Sequence, residues 1–144
     1  MKTKLLFVLA LVSMLMASCK LLGFLTPPGI KFVNESNYEM YVFHDEVKLK
    51  NNGDVTPHWN VRPKSSTENR AVTGYSRVED FLTNGVLRVT FVKKSDVDKY
   101  SWSGVIDGKM FACEYVVTKD NIRDYLIDER TLQFTYPVPD DKAN

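Results

Sequence analysis

The hydrophobicity of residues 86–92 alternates with a period of two, which is the repeat of a β-strand. Leu87, Val89 and Phe91 form a uniformly apolar set, and we expect them to face a core. A strand that is apolar on one side needs further strands beside it and a second layer to cover it. This segment therefore predicts a layered β fold.

Other short segments have strand character and are separated by turn signals. Predicted strands lie near residues 30–32, 38–43, 59–61, 67–75, 109–117 and 131–136, with turns at 34–37, 51–54 and 107–108. Short helices are predicted after Ser76, which begins a capping box with Glu79, and from Lys119 to about Leu126. Because parallel crossovers need more helix than this, we predict a mainly β fold: a single antiparallel β-sandwich, immunoglobulin-like or transthyretin-like, with one or two short helices.

The start of the chain has the features of a secretory leader. Lys2 and Lys4 precede an apolar run of thirteen residues, 5–17, which suits a signal peptide and is shorter than the ~20 residues that span a bilayer. The segment Met16-Ala17-Ser18-Cys19 resembles a bacterial lipobox, where cleavage before the cysteine frees its amine and the thiol carries diacylglycerol. Two or three acyl chains hold a protein on a membrane stably, so we predict that Cys19 is lipidated.

The alternatives are an ordinary cleaved signal peptide and an uncleaved membrane anchor. Lys20 lies inside the apolar stretch that continues to Leu25, and a lysine within the bilayer argues against a span. The predicted organisation is a signal peptide at 1–18, a lipidated N-terminus and tether at 19–28, a β-sandwich domain at 29–137 and a polar tail at 138–144.

Composition limits the partners of the mature chain. Loss of residues 1–18 leaves 126 residues, enough for one domain, with 17 basic and 18 acidic side chains because Lys2 and Lys4 leave with the leader. This balance, without basic runs, argues against nucleic acid as a partner. With Cys19 lipidated, Cys113 has no disulfide partner, and we expect it to be a small buried hydrophobe in a strand rather than a nucleophile.

Several features occur in an order that resembles small uncharacterised lipoproteins of Bacteroidetes. They are Ser18-Cys19-Lys20, an Asn-Ser element before a Tyr-rich strand at 34–42, a strand followed by Asp96 and Asp98, a Tyr-x-x-Thr-x-Asp-x-apolar stretch at 115–122, and Phe134-Thr135-Tyr136-Pro137. The resemblance covers most of the mature chain. It implies the envelope location and the fold, and it implies no catalytic residue.

The residues after Cys19 bear on which face of the membrane carries the domain. Surface-exported lipoproteins of these bacteria tend to have acidic residues at this point, whereas here Lys20-Leu21-Leu22-Gly23 follows. We therefore expect an outer-membrane anchor with the domain facing the periplasm, and keep surface exposure as the alternative.

Histidines and acidic residues offer few candidates for chemistry. A hydrolase triad or a zinc site would use His44 or His58, but neither lies in a recognised spacing. Asp96, Asp98 and the 51–54 loop lack a twelve-residue calcium-binding pattern, so solvated turns are expected there. No cofactor and no metal site is predicted.

Aromatic residues are the best binding candidates. Trp59, Tyr100 and Trp102 lie in or beside predicted loops and would bind a glycan if they were exposed on one face, by stacking on sugar rings. The alternative is that both tryptophans belong to the core or cap the sheet. The sequence thus predicts a non-enzymatic, lipid-anchored envelope protein, an accessory or scaffold domain with an envelope protein partner, and as the alternative a glycan-binding module.

Overall fold

The computed structural model describes residues 26–45, 47–49, 55, 58–70 and 75–137. The predicted leader, Cys19, the turn at 51–54 and the polar tail at 138–144 lie outside the described residues. The described strands are β1 (Gly29–Asn34), β2 (Met40–His44), β3 (Trp59–Val61), β4 (Ser65–Arg70), β5 (Val86–Lys93), β6 (Cys113–Thr118), β7 (Leu126–Asp128) and β8 (Thr131–Tyr136). They form two four-stranded sheets, so the predicted mainly β, sandwich-like fold is confirmed.

The first sheet has the order β4-β1-β8-β7 and the second has the order β3-β2-β5-β6. Neighbouring strands are antiparallel with one exception: β1 and β8 run parallel, with Phe32 opposite Phe134. This pair joins the two ends of the domain, which places the beginning of β1 beside the turn between β7 and β8. Residues 26–28, the described part of the predicted tether, lie at that end of the sandwich, where Gly29 N–H donates to the carbonyl oxygen of Arg130 at 2.8 Å.

The main core lies between the two sheets. Phe32 on β1 and Phe134 on β8 are fully buried against the second sheet, where Leu87, Val89 and Phe91 on β5 face them. The three β5 residues predicted to face the core do so, and β8 has the predicted bounds. Tyr115 on β6 joins the layers, since its hydroxyl donates to the carbonyl oxygen of Thr135 on β8.

A third layer covers the outer face of the second sheet. An α-helix, α1 (Lys94–Asp107), connects β5 to β6 and packs Val105 against Phe43 and Val92, which lie on the side of the sheet away from the main core. Val47 and Val55 complete this second cluster. Val92 is therefore fully buried, although it alternates with the core-facing residues of β5.

Several local predictions are wrong. Tyr100-Ser101-Trp102 and Asp107 lie in α1, not in a loop and a hairpin turn, and β6 begins only at Cys113. Leu126 starts β7, and the preceding helix is a single 3₁₀ turn, Ile122–Tyr125. The 3₁₀ turn Val78–Phe81 follows Ser76 as expected, but Asp80 accepts the hydrogen bonds that we assigned to Glu79.

One buried amide holds the chain where β1 turns into β2. The side chain of Asn34 is fully buried, and its Nδ2 donates to the carbonyl oxygens of Tyr38, Val61 and Arg62 at 2.7, 3.0 and 3.2 Å. Its Oδ1 accepts from the backbone N–H and the hydroxyl of Ser36. Asn34 thus ties the β1–β2 turn to the end of β3, across the two sheets.

Among the residues that the structure describes, no helix is both long enough and apolar enough to cross a bilayer.

Candidate functional site

Aromatic rings gather on the outer face of the second sheet, beneath α1. Tyr41, His58 and Trp102 lie with their ring centroids 4.9–5.5 Å apart, and Phe43 lies below His58 and Trp102 at 5.4 and 5.5 Å. Phe43 is buried, Tyr41 and Trp102 are half-buried, and His58 is exposed. We call these four residues the outer aromatic cluster.

The alternation of β2 explains why the cluster forms. Met40 and Val42 point into the main core, so Tyr41 and Phe43 must point to the opposite face of the sheet. Both faces of this strand are therefore largely apolar, which requires a covering layer on each side. The helix α1 supplies the outer layer and brings Trp102 over Tyr41.

Polar side chains lie beside Tyr41, and we call them the polar rim: Glu39, Asn60, Lys94 and Asp98. Asn60 stands opposite Tyr41 in the pairing of β2 with β3, and the backbone N–H of Lys94 donates to the carbonyl oxygen of Glu39, the residue two before Tyr41. Asn60 Nδ2 donates to Glu39 Oε1 at 2.7 Å, and Lys94 Nζ donates to Asp98 Oδ2 at 2.7 Å. The hydrogen bond to Asp98 raises the pKa of the Lys94 ammonium, and the nearby Glu39 and Tyr41 raise it further. Tyr41 thus connects the rim to the aromatic cluster.

The helix is interrupted where it delivers Trp102 to the sheet. Ser101 has φ 61° and ψ 170°, a backbone conformation that only glycine adopts readily. The residues on either side are helical, so the dihedral angles of Ser101 alone change the direction of the helix. A non-glycine residue in this region costs about 1–3 kcal/mol, which the packing around Trp102 must offset.

The three aromatic residues predicted as a glycan site are not brought together. Trp59 lies on the core side of the second sheet, with its ring 5.3 Å from that of Phe32 and stacked at 4.7 Å on His44. Trp102 lies on the opposite side of the same sheet. Tyr100 is 42 % exposed and has Lys99 Nζ over its ring at 4.7 Å. Only Trp102 belongs to the outer aromatic cluster.

The two histidines are also separated by the sheet, because His44 stacks on Trp59 whereas His58 belongs to the outer cluster. Burial lowers the pKa of His44, and the neighbouring Asp45, 3.4 Å from Nδ1, only partly offsets this effect. Within the described part of the chain no three His, Cys, Asp or Glu side chains are grouped as metal ligands. Asp98 is paired with Lys94 in α1, and Asp96 lies in the first turn of that helix.

Cys113 is the first residue of β6 and packs half-buried against the main core. Burial raises the pKa of its thiol to about 12, so the thiolate is scarce at neutral pH. A thiol of this kind is a poor nucleophile.

Tyr41, Phe43 and His58 are the cluster members that the sequence analysis did not single out as binding residues. The signal for Tyr41 was the run Met40-Tyr41-Val42-Phe43, four nonpolar or aromatic residues in a row, which indicates a strand covered on both faces. No comparable signal marks His58, because its position depends on how β3 pairs with β2. Comparison of the chain with protein-family models, curated proteins and solved structures found no match.

Proposed function

We propose that this chain is a lipid-anchored protein of the bacterial cell envelope, attached through Cys19, and that its β-sandwich is a non-catalytic accessory or scaffold domain. The observation that carries the proposal is the lipobox-like Met16-Ala17-Ser18-Cys19 after a short apolar run. The anchor is expected in the outer membrane with the domain in the periplasm.

The geometry supports a non-catalytic role in two ways. The Cys113 thiol is held protonated by burial, and the imidazoles of His44 and His58 lie on opposite faces of one sheet. The polar groups best placed to act on a ligand are those of the polar rim, and they are already paired with one another. Such pairs suit recognition by hydrogen bonding.

An accessory domain needs a surface on which a partner can dock. β6 is an edge strand of the second sheet and carries Val116, 41 % exposed, while β7 is an edge strand of the first sheet and carries Ile127, 52 % exposed. The side chain of Asn121 already occupies part of the β6 edge by bonding Thr118 N and Val116 O. Exposed apolar side chains on edge strands are typical of places where proteins meet.

Membrane fractionation of cells that express the tagged chain or its Cys19→Ala variant tests the anchor. We expect the native protein in the outer-membrane fraction. The Cys19→Ala variant has no thiol to carry the lipid, so we expect it to be absent from that fraction. Equal recovery of both proteins in that fraction would contradict lipid anchoring. Proteolysis of the tag in intact cells would put the domain on the surface. Protection of the tag until the outer membrane is broken would place the domain in the periplasm.

Photo-cross-linking in the same cells tests the accessory role. A photoreactive residue replaces Val116 or Ile127, the two apolar edge positions. Ser66, an exposed polar residue on β4, which is the other edge strand of the first sheet, serves as the control for an edge without an exposed apolar side chain. We expect a discrete adduct with one envelope protein from an apolar edge position and none from the control. Absence of adducts at both edge positions would count against a scaffold role.

A further inference from the structure

We propose that the outer aromatic cluster and the polar rim together bind a neutral sugar ring. This inference deepens the proposed function by naming a ligand class, and it relocates the predicted glycan site from Trp59 and Tyr100 to Tyr41, His58 and Trp102. Only the expectation that the sugar belongs to the envelope rests on the lipid anchor. Binding itself is measured in solution and stands or falls separately.

The chemistry of a pyranose requires two kinds of contact. Its C–H faces pack on aromatic rings, and its hydroxyl groups, which are donors and acceptors at once, need polar partners at the ring edge. The cluster supplies the first, with three partly accessible rings whose centroids lie 4.9–5.5 Å apart. Phe43 fixes them from below, because it is buried and touches both His58 and Trp102.

The rim supplies the second kind of contact. Asn60 uses one N–H on Glu39, which leaves its second N–H and its carbonyl oxygen for a ligand. Glu39 accepts that bond on Oε1 and retains Oε2 as an acceptor. A carboxylate and an amide held side by side can bind neighbouring hydroxyl groups, one accepting and one donating. Their mutual hydrogen bond holds both in position before a ligand arrives, which lowers the entropic cost of binding.

The charge of the rim favours a neutral sugar over an acidic one. Among the described residues of the polar rim there are two carboxylates, those of Glu39 and Asp98, and one ammonium, that of Lys94. The Lys94 ammonium is already engaged by Asp98 at 2.7 Å. An anionic ligand would meet net repulsion at this edge, whereas hydroxyl groups can bond to either sign of charge.

The two tryptophans give the experiment an internal control, because they lie on opposite faces of the same sheet and the chain has no other. The mature protein, purified from whichever cell fraction holds it in a detergent without a sugar headgroup, is titrated with cellotetraose, mannotetraose, galactotetraose and chitotetraose. The Trp59→Phe variant reports Trp102 fluorescence alone, and the Trp102→Phe variant reports Trp59 alone.

We expect at least one of these oligosaccharides to bind with a Kd of about 1 mM or tighter and to change the fluorescence of Trp102 but not that of Trp59. Asn60→Ala and Glu39→Gln alter solvent-facing side chains and are expected to weaken binding about tenfold, the effect of losing ~1.4 kcal/mol. Ser66→Ala, on the outer face of the other sheet, is expected to leave Kd unchanged.

Three results would overturn the proposal. The first is that none of the four oligosaccharides binds at about 10 mM. The second is a Kd that is the same in Asn60→Ala and Glu39→Gln as in the native protein. The third is tighter binding of an acidic oligogalacturonate than of the neutral sugars. A protein that binds the sugar but lacks a lipid would refute the anchor and leave this site intact.

Discussion

Replacing Asn34 by alanine tests whether one buried amide holds the β1–β2 turn to the rest of the sandwich. In the native protein its Nδ2 donates to three carbonyl oxygens and its Oδ1 accepts two hydrogen bonds from Ser36. Alanine removes all five contacts. The carbonyl oxygen of Val61 is then left without this donor in a buried position, whereas the oxygens of Tyr38 and Arg62 are partly accessible to water.

The size of the effect follows from this difference in burial. An unsatisfied buried acceptor costs about 1–3 kcal/mol, and each of the four part-buried hydrogen bonds contributes about 0.5 kcal/mol. We therefore expect Asn34→Ala to lower the free energy of unfolding by about 4 kcal/mol. For a domain of this size that corresponds to a fall in Tm of roughly 16 °C. Chemical denaturation followed by tryptophan fluorescence and calorimetry measure the two quantities.

Two variants make the test specific. Asn37→Ala changes the same residue type three positions along the same turn, where the side chain is exposed, and is expected to alter stability by less than about 0.5 kcal/mol. Asn34→Asp keeps the shape but replaces the donor with a carboxylate that faces three carbonyl oxygens, and is expected to destabilise the domain more than alanine does at pH 7. An Asn34→Ala protein within 1 kcal/mol of the native one, or as stable as Asn37→Ala, would refute the reasoning.

Ser101→Gly relieves the backbone strain at this position and should raise the free energy of unfolding by about 1 kcal/mol. Ser103→Gly, at an ordinary helical position, should lower it by a similar amount. Equal effects of the two substitutions in denaturant titrations would argue against strain. Burial raises the pKa of the Cys113 thiol from 9.0 to about 12. Iodoacetamide at pH 8 should therefore alkylate Cys113 about a thousandfold more slowly in the folded protein than in the unfolded one. Peptide mapping measures this rate, and similar rates in both states would contradict the burial of the thiol. Because burial lowers the pKa of His44 in the folded state, protonation favours unfolding, and the free energy of unfolding should fall as pH drops below the ordinary value of 6.5. His44→Gln should flatten that pH dependence, and a native curve unchanged by this substitution would show that His44 is not its source.

The strands that could be predicted are those with one clear apolar face. β5 and β8 each carry apolar residues at every second position, so the positions of these strands and the face of each that meets the main core follow from the period of two. The helix α1 could not be recognised in the same way. Its apolar residues Val97, Trp102 and Val105 do not keep one helical phase, because the break at Ser101 shifts the phase between the two halves.

The sequence indicated that aromatic residues form the proposed binding surface, but not which aromatic residues share one face. Loops and strands rich in tryptophan and tyrosine suggested stacking, and Trp102 does lie in an aromatic cluster. Whether Trp59 shares its face depends on the register between β2 and β3, in which Trp59 stands opposite Val42 and therefore points to the core. A shift of one residue would reverse that direction, and local sequence does not specify the register of a three-residue strand.

The intact mass of the native protein, extracted with detergent from the cells that produce it, tests the central claim most directly. Lipid anchoring predicts a chain that starts at Cys19, lacks residues 1–18, and carries the added mass of diacylglycerol on the cysteine with or without a further acyl chain on the amine. A chain that retains the leader, or one that starts at or near residue 19 with an unmodified thiol, would contradict it.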